Sequence, residues 1–246
     1  MSAPRRLLEV AANSLASALA AQAGGGDRVE LCENLAEGGT TPSHGTLVMA
    51  REQLQIPLYV LIRPRPGDFH YDAQEVALMV RDIRHCRELG CDGVVIGALD
   101  AQGRVDARVC GELMAAASGM GVSFHRAIDA SRDPLEALDA IIELGCERVL
   151  TSGAQASAEA GREVIAAMVR QAAGRIAILA GAGVTPGNVA ALVRQTGVSE
   201  VHASAKAPRA STMAFRNPAL QGLELDWQQS DAAAVRALRQ ALDRSD

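Results

Sequence analysis

Eight short apolar runs punctuate the chain, near residues 7–10, 28–32, 58–62, 93–97, 122–125, 148–152, 176–181 and 199–204. Each is rich in Val, Ile and Leu and reads as a strand buried on both faces. The longer stretches between them carry helical spacing and start signals. Asp72 with Glu75 three residues later forms a capping-box pattern, followed by apolar residues at Val76, Met79, Val80 and Ile83 up to Leu89. Asp133-Pro134 and Thr185-Pro186 each place a cap residue before a proline suited to a first helical turn. Asp106 and Ser230 are weaker start signals for the fourth and last helices.

A degenerate repeat ties these elements together. "GGDRVELC" from Gly25, "GCDGVVIG" from Gly90, "GCERVLTS" from Gly145 and "GVSEVHAS" from Gly197 each follow a helix-like stretch. The glycine supplies a left-handed helix stop and the valine opens the next strand. Successive copies stand two strand–helix units apart, and eight alternating units favour closure of a parallel sheet. With no linker or composition break, the chain is expected to be α/β, a single-domain (β/α)8 TIM-type barrel over residues 1–246. The irregular stretches 33–45, 63–72 and 205–229 all follow strands and are expected over one rim.

Charged and polar residues gather where the strands end, which is where such barrels place their sites. Glu9 and Glu30 fall on adjacent strands and are expected side by side near the barrel mouth. There they would divide acid and base roles or bind a cation, or be neutralised by an arginine such as Arg63. Arg63, in "RPRPGDF", suits a ligand carboxylate or phosphate, or an acidic neighbour. In "FHRAID", His125 is a candidate proton shuttle, with Asp129 orienting it or acting itself. Ser152 and Gly153, Gly181 and Gly183 in "GAGVTPGN", and His202 and Ser204 in "HASA" are candidate anion-binding positions, because backbone amides after the later strands commonly hold phosphate.

Composition narrows the partners. A net charge of -5 gives no electrostatic footprint for nucleic acid or an anionic membrane. One Trp, two Tyr and three Phe leave few stacking platforms for bases. No apolar run approaches the ~20 residues of a membrane span. "RRLLEVAANSLASALAAQA" resembles a signal peptide, but Glu9 and Asn13 interrupt it, and it reads as a strand followed by a helix. Five cysteines, without any CxxC pair, fit free thiols in a reducing compartment.

The segments "DRVELCENLAEGGTTPS", "IRPRPGDF", "FHRAID", "RVLTSG", "AGAGVTP" and "EVHASA", within a likeness running from residue 7 to about 218, resemble the CutC family, whose members are called copper homeostasis proteins. The resemblance implies a TIM-type barrel, a cytoplasmic location, copper handling with copper as a bound ion, and a homo-oligomer. Cys32 in the matching "ELC" motif is the carried-over metal thiol, within reach of His44 or His70 if the loops fold inward. Related sequences often show cysteine where this chain has Ala11 or Ala12, His70 and Ser131, so most rim thiols are missing. The alternative is a metal-independent isomerase- or lyase-like enzyme acting on a small phosphorylated metabolite. There Glu30 and His125 move protons and Arg63 clamps an anionic group. A third reading makes Lys206 a Schiff-base nucleophile.

Overall fold

The computed structural model describes residues 5–219 and 221–244. Eight strands, β1 (Leu7–Ala12), β2 (Arg28–Leu31), β3 (Leu58–Leu61), β4 (Gly93–Ile96), β5 (Gly121–Phe124), β6 (Arg148–Thr151), β7 (Ala177–Ala180) and β8 (Glu200–Ala203), pair in parallel and close into a barrel in that order. Eight helices surround it: α1 (Leu15–Ala23), α2 (His44–Gln53), α3 (Ala73–Glu88), α4 (Ala107–Ala116), α5 (Pro134–Leu144), α6 (Arg162–Ala172), α7 (Val189–Thr196) and α8 (Ala232–Asp243). All eight strand expectations are met. Gly25, Gly90, Gly145 and Gly197 each take a positive φ between 72° and 90°, the left-handed stop that the repeat predicts.

Side chains alternate across each strand. Leu8, Val10, Val29, Leu31, Val60, Ile62, Val94 and Ile96 join the apolar layer beneath the helices. Glu9, Arg28, Glu30, Tyr59, Arg63 and Glu200, with the half-buried Arg148 and His202, occupy the intervening positions and fill the barrel with polar groups. Tyr59 needs space there. A Cβ on Gly93 would sit 2.2 Å from its ring, and one on Gly121 would sit 2.1 Å from its hydroxyl. The two glycines let the phenol lie across the barrel between Arg28 and Arg148, whose guanidinium carbons stand 5.4 and 4.8 Å from the ring centroid.

The helix starts divide. Asp72 makes the full capping box, and Asp106 and Asp133 cap α4 and α5. Thr185 does not cap: residues 186–188 form a turn, and α7 begins at Val189 behind Asn188. The last helix is capped by Asp231, because Ser230 ends a strand. The stretch 205–229, expected to be irregular, contains an antiparallel hairpin, β9 (Lys206–Arg209) with β10 (Trp227–Ser230). Asn13 and Ser17 beside β1 anchor it through hydrogen bonds to Gln228 O and Ser230 N. Among the described residues no helix is long and apolar enough to cross a membrane.

Gly93→Ala is expected to cost about 1–3 kcal/mol by overpacking against Tyr59. In urea unfolding, adding Tyr59→Leu should recover part of that loss, and strictly additive losses would contradict this packing.

Candidate functional site at the barrel mouth

A cavity of about 950 Å³ opens at the C-terminal ends of the strands. Glu30 and His202 lie in its floor, Arg63, Phe69 and His125 form one wall, and Gly183, Ser204 and Lys206 form part of the opposite side. Glu9 lies below them. Its register partners are Arg28 on β2 and His202 on β8, whereas Glu30 stands opposite Ala11. Glu9 and Glu30 converge on His202 as expected, with Glu9 set lower in the barrel because β1 continues three residues beyond it.

Arg28 is the arginine that neutralises Glu9. Its Nε donates to Glu9 and its Nη2 to Glu200 at 2.6 Å, and Arg148 joins Glu200 at 3.3 Å. Burial alone would raise the Glu9 carboxyl. The Arg28 charge and a hydrogen bond from His202 outweigh it and hold Glu9 down to about 2. His202 Nδ1 donates to Glu9 Oε1 at 2.7 Å, while its Nε2 stands 3.6 Å from Glu30 Oε2. Burial opposes charge on His202, but Glu30 and Glu9 raise it above the ordinary value. Glu30 is only 5% exposed and accepts no hydrogen bond among the described residues. Burial, with the charge of Glu9 adding, pushes its carboxyl up to about 7.

On the other wall, Arg63 is 4% exposed and donates to the carbonyls of Glu37, Gly39 and Gly67 at 2.7–2.9 Å, stitching two rim loops together. It makes no ion pair among the described residues, and its Nε has no partner. Phe69 packs on both Arg63 and His125, 5.0 Å from each. Gly97 makes room for the imidazole, since a Cβ there would lie 2.5 Å from it. His125 Nδ1 accepts from Ala127 N at 3.1 Å, and Nε2 is buried without a partner. Burial, reinforced by Arg63, drops His125 to about 3. Burial and the nearby Arg63 thus disfavour the charged ring that a proton shuttle would pass through.

Asp129 does not orient His125. It accepts from Thr151 Oγ1, Ser152 N and Ala154 N and pairs with Arg126, which shapes the turn after β6. That turn uses up several expected anion donors. Ser152 N and Oγ go to Asp129, Gly153 N to Thr151 Oγ1, and Gly181 N to Thr151 O. Ser152, Gly153 and Gly181 are therefore removed from the anion-binding set. Gly183 and Ser204 remain, the structure adds Ala182 and Ala205, and the backbone N–H groups of all four bond to no other described residue. Ala154, Ala182 and Ala205, one after each of β6, β7 and β8, have φ of 56°, 75° and 43°, and all three line the cavity. Left-handed alanine costs about 1–2 kcal/mol, and such strain clusters at functional sites. Lys206 is exposed at the rim without an ion-pair partner among the described residues.

All five cysteine thiols are buried. Cys32 donates to Ala12 O, and burial pushes its thiol far up, away from the thiolate that Cu(I) selects. His44 turns to His85 at 2.7 Å and His70 to Leu99 O at 3.2 Å, so neither meets Cys32. Glu9, Glu30 and His202 do converge, with one ligand atom from each lying within 4.8 Å of the others.

A family model described as the CutC family matches residues 6–207. A CutC family protein of Xanthomonas axonopodis pv. citri is 57% identical over 97% of this chain and 99% of its own length. Another from Chromobacterium violaceum is 49% identical over 98% of this chain and 99% of its own length. A solved structure from Streptococcus agalactiae, which carries the name copper homeostasis protein CutC, is 34% identical. It covers 81% of this chain and 98% of its own, with a TM-score of 0.78.

His125 links the wall to stability. Below pH 6.5 the unfolded chain protonates this imidazole, and the native state refuses the proton until about 3. Its contribution is complete above 6.5 and is lost as pH falls through that window. Glu9 adds a loss below 4.5, while Glu30 acts oppositely between 4.5 and about 7. His125→Asn keeps an acceptor for Ala127 N. It should make stability fall less, or rise more, than in wild type as pH drops from 6.5 to 4.5 in urea unfolding, and an unchanged pH dependence would contradict the assignment.

Proposed function

The chain belongs to the CutC family, and we propose that it serves the copper-homeostasis role named for its Streptococcus agalactiae relative by binding a small anionic, phosphorylated ligand in the barrel mouth. The supporting observation is the wall built by the turns after β7 and β8. Unpaired N–H groups of Ala182, Gly183, Ser204 and Ala205, the Ser204 hydroxyl and the Lys206 ammonium line one side of the cavity. Backbone N–H groups held in left-handed turns form concave anion sites, and (β/α)8 barrels commonly place phosphate at these two connections. The strain of Ala182 and Ala205 opposes folding and has a purpose if it aims these donors inward. Arg63, buried without a counter-ion among the described residues, adds positive potential across the cavity.

The ligand reading is checked with inorganic phosphate and pyrophosphate, followed by thermal shift and calorimetry, because a ligand bound only by the native state raises its stability. Wild type should be stabilised by these anions and not by equal ionic strength of chloride. Lys206→Ala and Ser204→Ala should each weaken binding about tenfold, the usual worth of a charge-assisted hydrogen bond. Cys32→Ser should bind as wild type. No selective stabilisation, or equal binding by both rim variants, would refute the reading.

A further inference from the structure

We propose that His202 Nε2 and Glu30 hold a divalent transition-metal cation on the floor of the cavity, with Glu9 fixing the imidazole from behind. The argument begins with a distance. Nε2 and Glu30 Oε2 are 3.6 Å apart, too long for a hydrogen bond between nitrogen and oxygen. Two ligand atoms each about 2.1 Å from a single ion, at an angle of roughly 120°, stand that far apart.

The second observation is independent of this spacing. Glu30 is a carboxylate nine-tenths buried, aimed into the cavity and without a hydrogen bond among the described residues. Among the described residues its one ion-pair partner is His202 at 3.6 Å, and a cation between carboxylate and imidazole would complete both. Behind the ring, Nδ1 donates to Glu9 Oε1 at 2.7 Å, the carboxylate–histidine support that directs Nε2 outward in metal sites. Arg28 occupies the other side of Glu9, so the backing carboxylate is already neutralised and stays in place. The remaining coordination positions open into the cavity, where water or an oxygen of a bound anion completes them.

The donor set selects the ion. Imidazole with carboxylate suits Cu(II), Zn(II), Ni(II) or Mn(II), in contrast to the thiolates that Cu(I) prefers. Copper bound at this site would be the divalent ion. The metal site draws on the same cavity as the anion reading but uses different residues. A titration with metal alone in phosphate-free buffer separates the two, since either can fail while the other stands.

The exposed pair His44–His85, 2.7 Å apart, is a second place where a metal could lodge. The test is therefore run in His85→Ala, with calorimetry and electron paramagnetic resonance on added copper(II) chloride. One equivalent should still bind, with hyperfine structure from one imidazole nitrogen. Adding Glu30→Gln should weaken binding at least 100-fold while thermal melting shows a folded protein. Adding Glu9→Gln should weaken it 10- to 100-fold, the usual effect of losing such support. Cys32→Ser should leave it unchanged. Absence of stoichiometric binding in His85→Ala, or wild-type affinity in the Glu30→Gln variant, would overturn the proposal.

Discussion

The site depends on one buried network of ion pairs centred on Arg28. Arg28 lies inside the barrel between Glu9 and Glu200, and a charge in that position is tolerated only because both carboxylates meet it. The pairing does more than neutralise. It keeps Glu9 ionised, which lets Glu9 accept the Nδ1 proton of His202 and turns the opposite nitrogen toward Glu30. Three neighbouring strands, β8, β1 and β2, thus convert a structural charge network into an oriented imidazole at the foot of a cavity.

The opposite half of the mouth is built differently. Arg63 is bound by carbonyls and has no acidic partner among the described residues, and beside it burial, reinforced by the guanidinium, lowers His125. Phe69 covers both groups. The floor therefore offers a pair of titratable groups, while one wall supplies the positive potential of Arg63 and the other the fixed N–H donors after β7 and β8. That division fits a ligand carrying negative charge at one end and reaching the Glu30–His202 floor with the other.

Much of the fold was legible. Short valine-rich runs, the glycine repeat and the aspartates before α3, α4 and α5 all act locally, so sequence alone exposes them. The failures lie where distant segments intervene. Thr185 is preceded by a left-handed Ala182–Gly183 turn whose Gly183 carbonyl takes Asn188, and this delays α7. Ser230 is drawn into a hairpin by Ser17 and Ala11, which no local pattern announces. Within the site, Glu30 and Arg63 were found from their strand-end positions, whereas Arg28, Arg148 and Glu200 were overlooked. Treating the strands as apolar on both faces concealed them. The signal was present in "RVELC", where Arg28, Glu30 and Cys32 alternate with Val29 and Leu31. The environment of a residue was not readable at all: the same histidine type is driven down at His125 and up at His202 by neighbours far away in sequence.

The link from Glu9 to His202 carries the account, and nuclear magnetic resonance of the ¹⁵N-labelled imidazoles observes it directly. At neutral pH, without added metal, His202 should show a strongly downfield, slowly exchanging Nδ1–H that disappears in Glu9→Gln while the resonances of His125 persist. An Nδ1–H signal averaged with solvent, or one that survives loss of the Glu9 carboxylate, would mean that the ring is not held by Glu9.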